Sequence, residues 1–146
     1  MTIKVEGQAE LKANLDRLAR RYGENTAKAA FAGAQLVRST AIRSIQSQSV
    51  GETVRRYREG SSEGYDHVAS VAGDPPNTDN GDLVRSIQIE VKPNEVFVGS
   101  SLPYAAHLEF GTRRMAARPW LVPALESRSR EINRLFRNAI EKTSKR

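Results

Sequence analysis

Apolar residues recur every three or four positions in the first third of the chain, and this helical period constrains the fold more than any other feature. Between residues 8 and 22, the recurring apolar residues are Leu11, Leu15, Leu18 and Tyr22. Charged side chains lie between them, so the pattern predicts an amphipathic helix from Gln8 to Tyr22. Because glycine commonly ends helices, we expect this helix to end near Gly23.

A second helical stripe follows and is rich in alanine. Asn25 or Thr26 is a suitable N-cap, and the pattern continues to about Gln46. Its apolar positions are Ala27, Ala30, Phe31, Ala34, Val37, Ala41 and Ile45. So many small side chains predict the close approach of another helix. Upstream, Ile3 and Val5 alternate with polar residues in TIKVEG, which predicts a short edge strand.

Periodicity is lost between residues 47 and 81, a stretch rich in Gly, Ser, Asp, Asn and Pro. A loop of this length inside a compact domain is usually functional or disordered. We therefore expect one long irregular loop that is mobile in the free subunit and becomes ordered against a partner. The sequence HVASV within it indicates a brief extended segment.

The remaining sequence alternates between strands and helices. GDLVRSIQIEV predicts a cap at Asp82 and then a strand, and VFVGS returns after a turn with Pro93 in its second position, which makes a β-hairpin. PYAAHLEFG predicts a short helix ended by Gly111, and Pro119 suits the first turn of a last helix. The apolar stripe of that helix is Leu121, Leu125, Ile132, Leu135, Phe136, Ala139 and Ile140. A basic tail follows over residues 141–146.

This order of elements predicts an α+β fold in a single domain over residues 1–146. Long helices would pack on a small antiparallel sheet that contains the hairpin. No apolar run in the sequence approaches the roughly 20 residues of a membrane helix, and the N-terminus lacks the pattern of a signal peptide. We expect a soluble protein made in the cytoplasm, with no membrane partner.

Composition excludes several kinds of chemistry. The chain has no cysteine and two histidines, which rules out a disulfide, a thiolate zinc site and a multi-histidine metal site. His107 and Glu109 have the spacing of one half of the zinc deaminase signature, but the cysteine half is missing. We therefore predict no catalytic residues, no metal and no cofactor, and a small hydrolase or toxin is the least favoured alternative.

Charge is distributed in blocks along the chain. Residues 1–50 carry 8 Lys/Arg and 4 Asp/Glu, residues 51–110 carry 5 and 10, and residues 111–146 carry 10 and 3. One interpretation is an ordinary solvated surface. The other is attraction between copies of the chain through oppositely charged patches.

The net charge of +6 leaves a basic nucleic-acid-binding protein as the alternative function. Its candidate contacts to DNA or to a partner are Arg55, Arg56 and Arg58, which surround Tyr57. Guanidinium and aromatic groups together suit phosphate contact and base stacking. One aromatic residue makes a poor stacking platform, so solvated loop charge is the favoured interpretation of this cluster.

The stretch from Tyr104 to Glu126 combines an apolar helix, several arginines and the only tryptophan of the chain. Trp and Arg are enriched at interface hot spots, which favours a surface that contacts another protein. The candidate interface residues are Tyr104, His107, Glu109, Phe110, Arg113, Arg114, Arg118, Trp120 and Leu121. Arg118 and Glu109 can pair within a subunit or between two. Alternatively, Trp120 and Leu121 fill the core of the monomer, and both roles are compatible if the core lies close to the interface.

Four motifs occur in order between residues 75 and 126: PPNTDNGDLVRSI, VFVGSS, YAAHLEFGT and MAARPWLVPALE. Together they resemble the small tail-component proteins of long-tailed bacteriophages and prophages, which act in the neck as tail-completion or head–tail connector parts. That family's patterns include Y-A-x-x-x-E-F-G-T and M-x-A-R-P-F-L-x-P-A. This chain departs from them with Trp120 where Phe is usual and TDNG where T-G is commoner.

The resemblance implies a structural virion protein assembled in the host cytoplasm. It implies a ring of identical subunits, roughly six or twelve copies, at the head–tail junction around the path of the DNA. The implied partners are the chain itself, neighbouring connector and tail proteins, and non-specific contact with DNA in the channel. Residues 51–73 look like a local elaboration, so no family role transfers to the arginines there.

Overall fold

The structure is a computed structural model that describes residues 8–47 and 49–145. The predicted edge strand in TIKVEG lies outside the described residues. The elements in chain order are α1 (Gln8–Gln46), β1 (Thr53–Tyr57), β2 (Gly64–Val68), α2 (Asp82–Ser86), β3 (Ile87–Lys92), β4 (Glu95–Ser100), α3 (Pro103–Phe110) and α4 (Val122–Ser144). The predicted α+β class is confirmed.

α1 is one helix of 39 residues, so the predicted break near Gly23 is wrong. Glycine in a helix interior costs about 1 kcal/mol relative to alanine but does not by itself end a helix. Asn25 and Thr26, the expected N-caps, lie inside α1 and make other hydrogen bonds. The Thr26 hydroxyl donates to the Tyr22 carbonyl at 2.7 Å, a bond within the helix, and the Asn25 amide donates to the Thr143 hydroxyl on α4 at 2.7 Å.

α4 packs along α1 in the antiparallel direction, as three contacts show. Asn25 meets Thr143, Gly33 faces Ile132, and the Arg128 guanidinium donates to the Thr40 hydroxyl at 2.9 Å. A methyl group on Gly33 would lie 3.3 Å from two carbons of Ile132, so the missing side chain lets the two helices approach closely. The prediction of close helix packing on α1 is confirmed.

The predicted long loop contains a second hairpin, so its description as wholly irregular is wrong. β1 and β2 pair antiparallel, from Thr53 opposite Val68 to Tyr57 opposite Gly64. Asn77 holds the base of this hairpin, because its amide donates to the Ser49 and Val68 carbonyls and accepts from the Ser49 N–H. β2 includes the start of HVASV, which agrees with the predicted extended segment.

The predicted hairpin is confirmed as β3 and β4, with Ile87 opposite Ser100 and Lys92 opposite Glu95 across the Pro93 turn. Each hairpin is a separate two-stranded sheet. Asp82 is the first residue of the short helix α2 and not its cap, a position that Gly81 takes in a left-handed conformation.

α3 is confirmed and ends at Gly111. α4 begins at Val122 and not near Pro119, and Pro123 is the proline in its first turn. The helix continues to Ser144, so most of the predicted basic tail is helical.

The core lies where the C-terminal half of α1 meets α2, α3 and the start of α4. Its buried members are Val37, Ala41, Ile45, Leu83, Ile87, Ala105, Trp120 and Ala124. This core fixes the segment from α3 to α4 on the body of the protein.

Candidate interaction surface

Glu109, near the end of α3, holds the beginning of α4. One carboxylate oxygen accepts from the backbone N–H groups of Trp120 and Leu121 at 2.8 and 2.9 Å, and the other accepts from Val122 at 2.9 Å. The first N–H groups of a helix have no partner within the helix, and its dipole favours a negative charge there. Glu109 is only 7% exposed, so this cap is internal to the fold.

The chain reverses direction between α3 and α4 through a tight turn. Gly111 has φ 75°, and a Cβ at this position would lie 2.9 Å from the Ala117 nitrogen and the Met115 oxygen. The Thr112 N–H donates to the Met115 carbonyl at 2.8 Å, and the Arg118 N–H donates to the Leu108 carbonyl at 2.7 Å. Glycine is therefore required by both the backbone conformation and the space. The turn returns the chain so that residues 120–122 reach Glu109.

Trp120 lies in the core of the monomer. Its side chain is 3% exposed, and the indole N–H points to the Ala105 carbonyl at 3.5 Å. The core alternative therefore applies to Trp120, and its contact with a second subunit stays a prediction. The same holds for Glu109, whose carboxylate is occupied by backbone donors, while Leu121 is half-buried against the core.

Arg118 does not pair with Glu109 as predicted. Its guanidinium donates to the Ser70 carbonyl through Nε and Nη2, both at 3.2 Å. The Gly73 N–H donates to the Ala117 carbonyl at 2.9 Å, close to the same point. These bonds tie the segment after β2 to the turn between α3 and α4.

The other predicted interface residues are exposed. Tyr104 is 43% exposed and Phe110 is 76% exposed, and His107 lies between them along α3. Arg113 and Arg114 are exposed in the turn that follows. We call these five residues the α3 face. Partial burial and, secondarily, the nearby Asp82 carboxylate raise the pKa of Tyr104 above its usual value.

Asp79 organises the outer hairpin. Its carboxylate accepts from the Tyr65 hydroxyl at 2.7 Å and from Arg56 at 2.8 Å, and His67 Nδ1 is 3.7 Å away. Burial opposes ionisation of Asp79, but the bonds from Tyr65 and Arg56 and the nearby His67 outweigh it and lower the pKa of this carboxyl. The same hydrogen bond raises the pKa of Tyr65. Sequence reasoning missed this cluster because Asp79 is 12 to 23 residues from the three side chains that surround it.

The three arginines of the predicted nucleic-acid cluster have partners within the chain. Arg56 binds Asp79, Arg55 binds Asp66 at 3.1 Å, and the Arg58 guanidinium lies 5.3 Å from the centre of the Tyr65 ring. Arg55 and Arg56 are on β1, not in a flexible loop. The hairpin thus holds these positive charges beside carboxylates or an aromatic ring.

A cavity of about 460 Å³ lies between the hairpin, α2 and α3. Arg56, His67 and Arg118 line it together with Asp79 and Asp82. Its charges are of both signs. No group of His, Cys, Asp or Glu residues within 8–47 and 49–145 is arranged to hold a metal ion. In the same part of the chain, none of the helices has the length and apolar character required to cross a membrane.

In the comparison with protein families, residues 9–111 match the family described as "Bacteriophage HK97-gp10, putative tail-component". Comparison with curated proteins and with solved structures finds no match. The matched range extends from α1 to Gly111 and includes the α3 face up to Phe110. The class that this match defines is the structural tail proteins of bacteriophages, which are parts of the virion and contact other structural proteins of the phage.

Within that class, the chain belongs to the HK97-gp10-like family. The predicted resemblance to phage tail components is therefore confirmed. Gly111 closes the matched range, and the turn and α4 follow it.

Proposed function

We propose that this protein forms a closed ring at the head–tail junction of a phage, where it completes the tail or joins it to the head. The observation that carries the proposal is the α3 face, where an exposed aromatic pair lies on a helix that the buried Glu109 fixes to the core, and two exposed arginines lie in the turn that follows it. Exposed aromatic residues on a rigid element are suited to contact another protein.

A ring of identical subunits requires two different patches that meet. The second patch that we propose is the tip of the β3–β4 hairpin. Val91 is 60% exposed on one face of this hairpin, and Phe97 is 44% exposed on the other face, where Glu90, Lys92 and Glu95 are also exposed. Glu90 lies 3.5 Å from Lys92, whose ammonium is also 4.7 Å from the centre of the Phe97 ring, so Glu95 supplies the negative charge that is left over. This charge complements the arginines of the α3 face, and each patch supplies apolar surface.

A ring-forming contact explains why the charge of the chain is divided. The hairpin tip lies in the block of residues 51–110, which has an excess of acidic residues, whereas Arg113 and Arg114 begin the block with the largest basic excess. Opposite charges on neighbouring subunits steer association and fix its register.

The test uses electron microscopy of the purified protein and of virus particles. We expect rings from the wild-type protein and heads unjoined to tails when the protein is missing. Phe110→Ser should prevent both ring formation and joining, whereas Tyr57→Ser, which changes an aromatic residue that is 65% exposed on the other hairpin, should not. Normal joining with Phe110→Ser would refute the α3 face as the ring contact.

A charge exchange tests the pairing of the two patches. Arg113→Glu with Arg114→Glu should weaken ring formation, and so should Glu90→Arg with Glu95→Arg. A protein that carries all four changes should regain rings, because the attraction is restored with its sign reversed. Failure of the fourfold variant, with each pair of changes still folded, would exclude this pairing.

A nucleic-acid-binding function is not proposed. Arg55, Arg56 and Arg58 each have an acidic or aromatic partner within the hairpin, so their contact with phosphate would compete with bonds already formed.

A further inference from the structure

The first four turns of α1 extend beyond the end of α4. Thr143 lies near the end of α4 and contacts Asn25, so residues 8–24 continue α1 past this point. At 1.5 Å per residue they form about 25 Å of helix. We call residues 8–24 the arm. Every side chain from residue 9 to residue 20 is exposed.

The arm carries three exposed leucines on one side. Leu11 is 60% exposed, Leu15 is 56% exposed and Leu18 is 41% exposed. Their spacing of four and three residues is that of the seam of a coiled coil. Three leucines in such a row form an apolar stripe, which stays in contact with water unless another helix packs on it.

This stripe continues the surface on which α4 already packs. At 100° per residue, Leu11, Leu15 and Leu18 lie within about 40° of the direction of Asn25, Gly33 and Thr40, the three residues that contact α4. The face is therefore one helix-packing seam. α4 covers its C-terminal half, and the described chain leaves its N-terminal half uncovered.

We propose that the arm of a second copy of this chain covers this half, so that two arms pair antiparallel. Leu15 of each copy then packs against Leu18 of the other. Among the described residues, the arm is the helical surface that offers a matching row of exposed leucines. The contact is two-fold, and it is separate from the α3 face and from the ring proposed above.

Charge supports the antiparallel direction. Glu10 and Arg21 lie on the same flank of the stripe, about 20° apart around the helix axis. With Leu15 opposite Leu18, Glu10 of one arm lies about two residues, or roughly 3 Å along the axis, from Arg21 of the other. Arg21 and Lys142 also line a hollow of about 280 Å³ at the end of α4 together with Glu24, so two cations share one carboxylate there and an incoming carboxylate would balance the second. In a parallel pair, Glu10 of one arm would instead lie eleven residues, or roughly 16 Å along the axis, from Arg21 of the other.

The experiment uses the full chain with Phe110→Ser, so that a ring contact through the α3 face does not contribute. Sedimentation equilibrium should show a dimer at subunit concentrations on the order of 100 µM, a weak pair because only about two heptads meet. Leu15→Glu should weaken it at least about 50-fold. The matched control is Leu125→Glu on α4, where a leucine that is 50% exposed is changed in the same way and dimerisation should persist.

Charge reversal then tests the direction of pairing. Glu10→Arg and Arg21→Glu should each weaken the dimer several-fold, and the double variant should restore it. The chain has no cysteine, so a spin label on Ala9→Cys reports a single distance. Antiparallel arms offset the two labels by about 20–25 Å along the helix axis, whereas parallel arms place them at the same height, so the antiparallel distance is the longer of the two.

Three results would overturn the proposal: a monomer at 100 µM, equal weakening by Leu15→Glu and Leu125→Glu, or labels at the parallel distance. Circular dichroism checks that the helices of each variant are intact. Loss of head–tail joining with Phe110→Ser leaves this measurement unaffected, so the failure of one proposal is distinguishable from the failure of the other.

Discussion

Glu109 shows how one side chain joins two elements. Its carboxylate accepts three backbone N–H groups at the start of α4, although it belongs to α3. Such bonds are charge-assisted, and the bond from Trp120 is buried while the other two are partly buried, which makes them stronger than ordinary surface hydrogen bonds. The position of α4 relative to α3 therefore depends on a single buried carboxylate.

Replacing Glu109 should destabilise the protein. Glu109→Ala leaves one buried and two partly buried backbone donors without this acceptor, and we expect a loss of about 2–4 kcal/mol in the free energy of unfolding. Glu109→Gln keeps one acceptor oxygen and should lose less. Urea unfolding measures both, with the exposed Glu126→Gln as the control that should leave stability unchanged. Wild-type stability in Glu109→Ala would mean that the cap does not contribute.

Trp120 should behave as a core residue. Trp120→Ala removes a side chain that is 3% exposed, and large-to-small changes of this kind cost roughly 3–5 kcal/mol. Phe110→Ala, at 76% exposure, should change the unfolding free energy by less than about 0.5 kcal/mol. Thermal unfolding of the two variants separates the roles, and similar melting temperatures would contradict the assignment of Trp120 to the core.

At the scale of the elements, two glycines in α1 should respond in opposite directions. A Cβ on Gly23 meets nothing within 4 Å, and the helical backbone suits alanine, so Gly23→Ala should stabilise the protein by about 0.5–1 kcal/mol. Gly33→Val should cost about 1–3 kcal/mol because it overlaps Ile132. Ile132→Ala should offset part of that cost. A double-mutant cycle measures the coupling, and strictly additive effects would show that the two side chains do not compete.

The outer hairpin should depend on pH through Asp79 and Tyr65. The pKa of Asp79 is lowered from its ordinary 3.8, so its contribution to stability is present above about pH 3.8 and is lost as the pH falls below it. The pKa of Tyr65 is raised from 10.0, so its contribution is present below about pH 10 and is lost as the pH rises further. Protection of the β1 and β2 amides from hydrogen exchange, measured relative to the intrinsic exchange rate at each pH, should be highest between these limits.

A variant checks the origin of that dependence. Asp79→Asn should bring the pKa of Tyr65 back towards 10.0 in an NMR titration and should speed amide exchange in the hairpin at neutral pH. Asp66→Asn is the matched control, since Asp66 binds Arg55 on the exposed side of the same hairpin. If both variants leave the pKa of Tyr65 raised, Asp79 is not its cause.

The elements differ in how far sequence reasoning could predict them. Apolar periodicity predicted α1, α3, α4 and the β3–β4 hairpin, because each buries one face. The β1–β2 hairpin was missed, because TVRRY and GYDHV are mostly polar and are held by ion pairs and by Asn77. Glycine misled the prediction at Gly23, where the packing of α4 nearby outweighs a local helix cost.

The candidate site was predicted only in part. Exposure of Tyr104 and Phe110 agrees with a contact surface, although their contact with a second subunit stays a prediction. The role of Glu109 could not be read from the sequence, because it depends on a turn that returns the chain 11–13 residues later. The partner of Arg118 could not be predicted either, because its guanidinium donates to the Ser70 carbonyl, 48 residues away, and not to the Glu109 carboxylate.

At the scale of the whole molecule, a ring of head-to-tail contacts should be sensitive to a minority of defective subunits. A Phe110→Asp subunit has one damaged patch and one intact patch, so it can join a growing ring but cannot be followed by another subunit. One part of this variant in about five parts of wild type should reduce closed rings far more than in proportion. Mass photometry counts the rings, and a merely proportional decrease would argue against head-to-tail closure.

The pairing of α1 with α4 also sets the order in which the protein can fold as it is made. Asn25 and Thr143 are 118 residues apart, and Thr40 and Arg128 are 88 apart. At roughly 5–20 residues per second, α1 leaves the ribosome many seconds before its partner helix exists. Throughout that time its apolar seam is open to chaperones and to other nascent chains. While many copies are translated at once, α1 therefore lacks its packing partner in each nascent chain until the residues of α4 have been made.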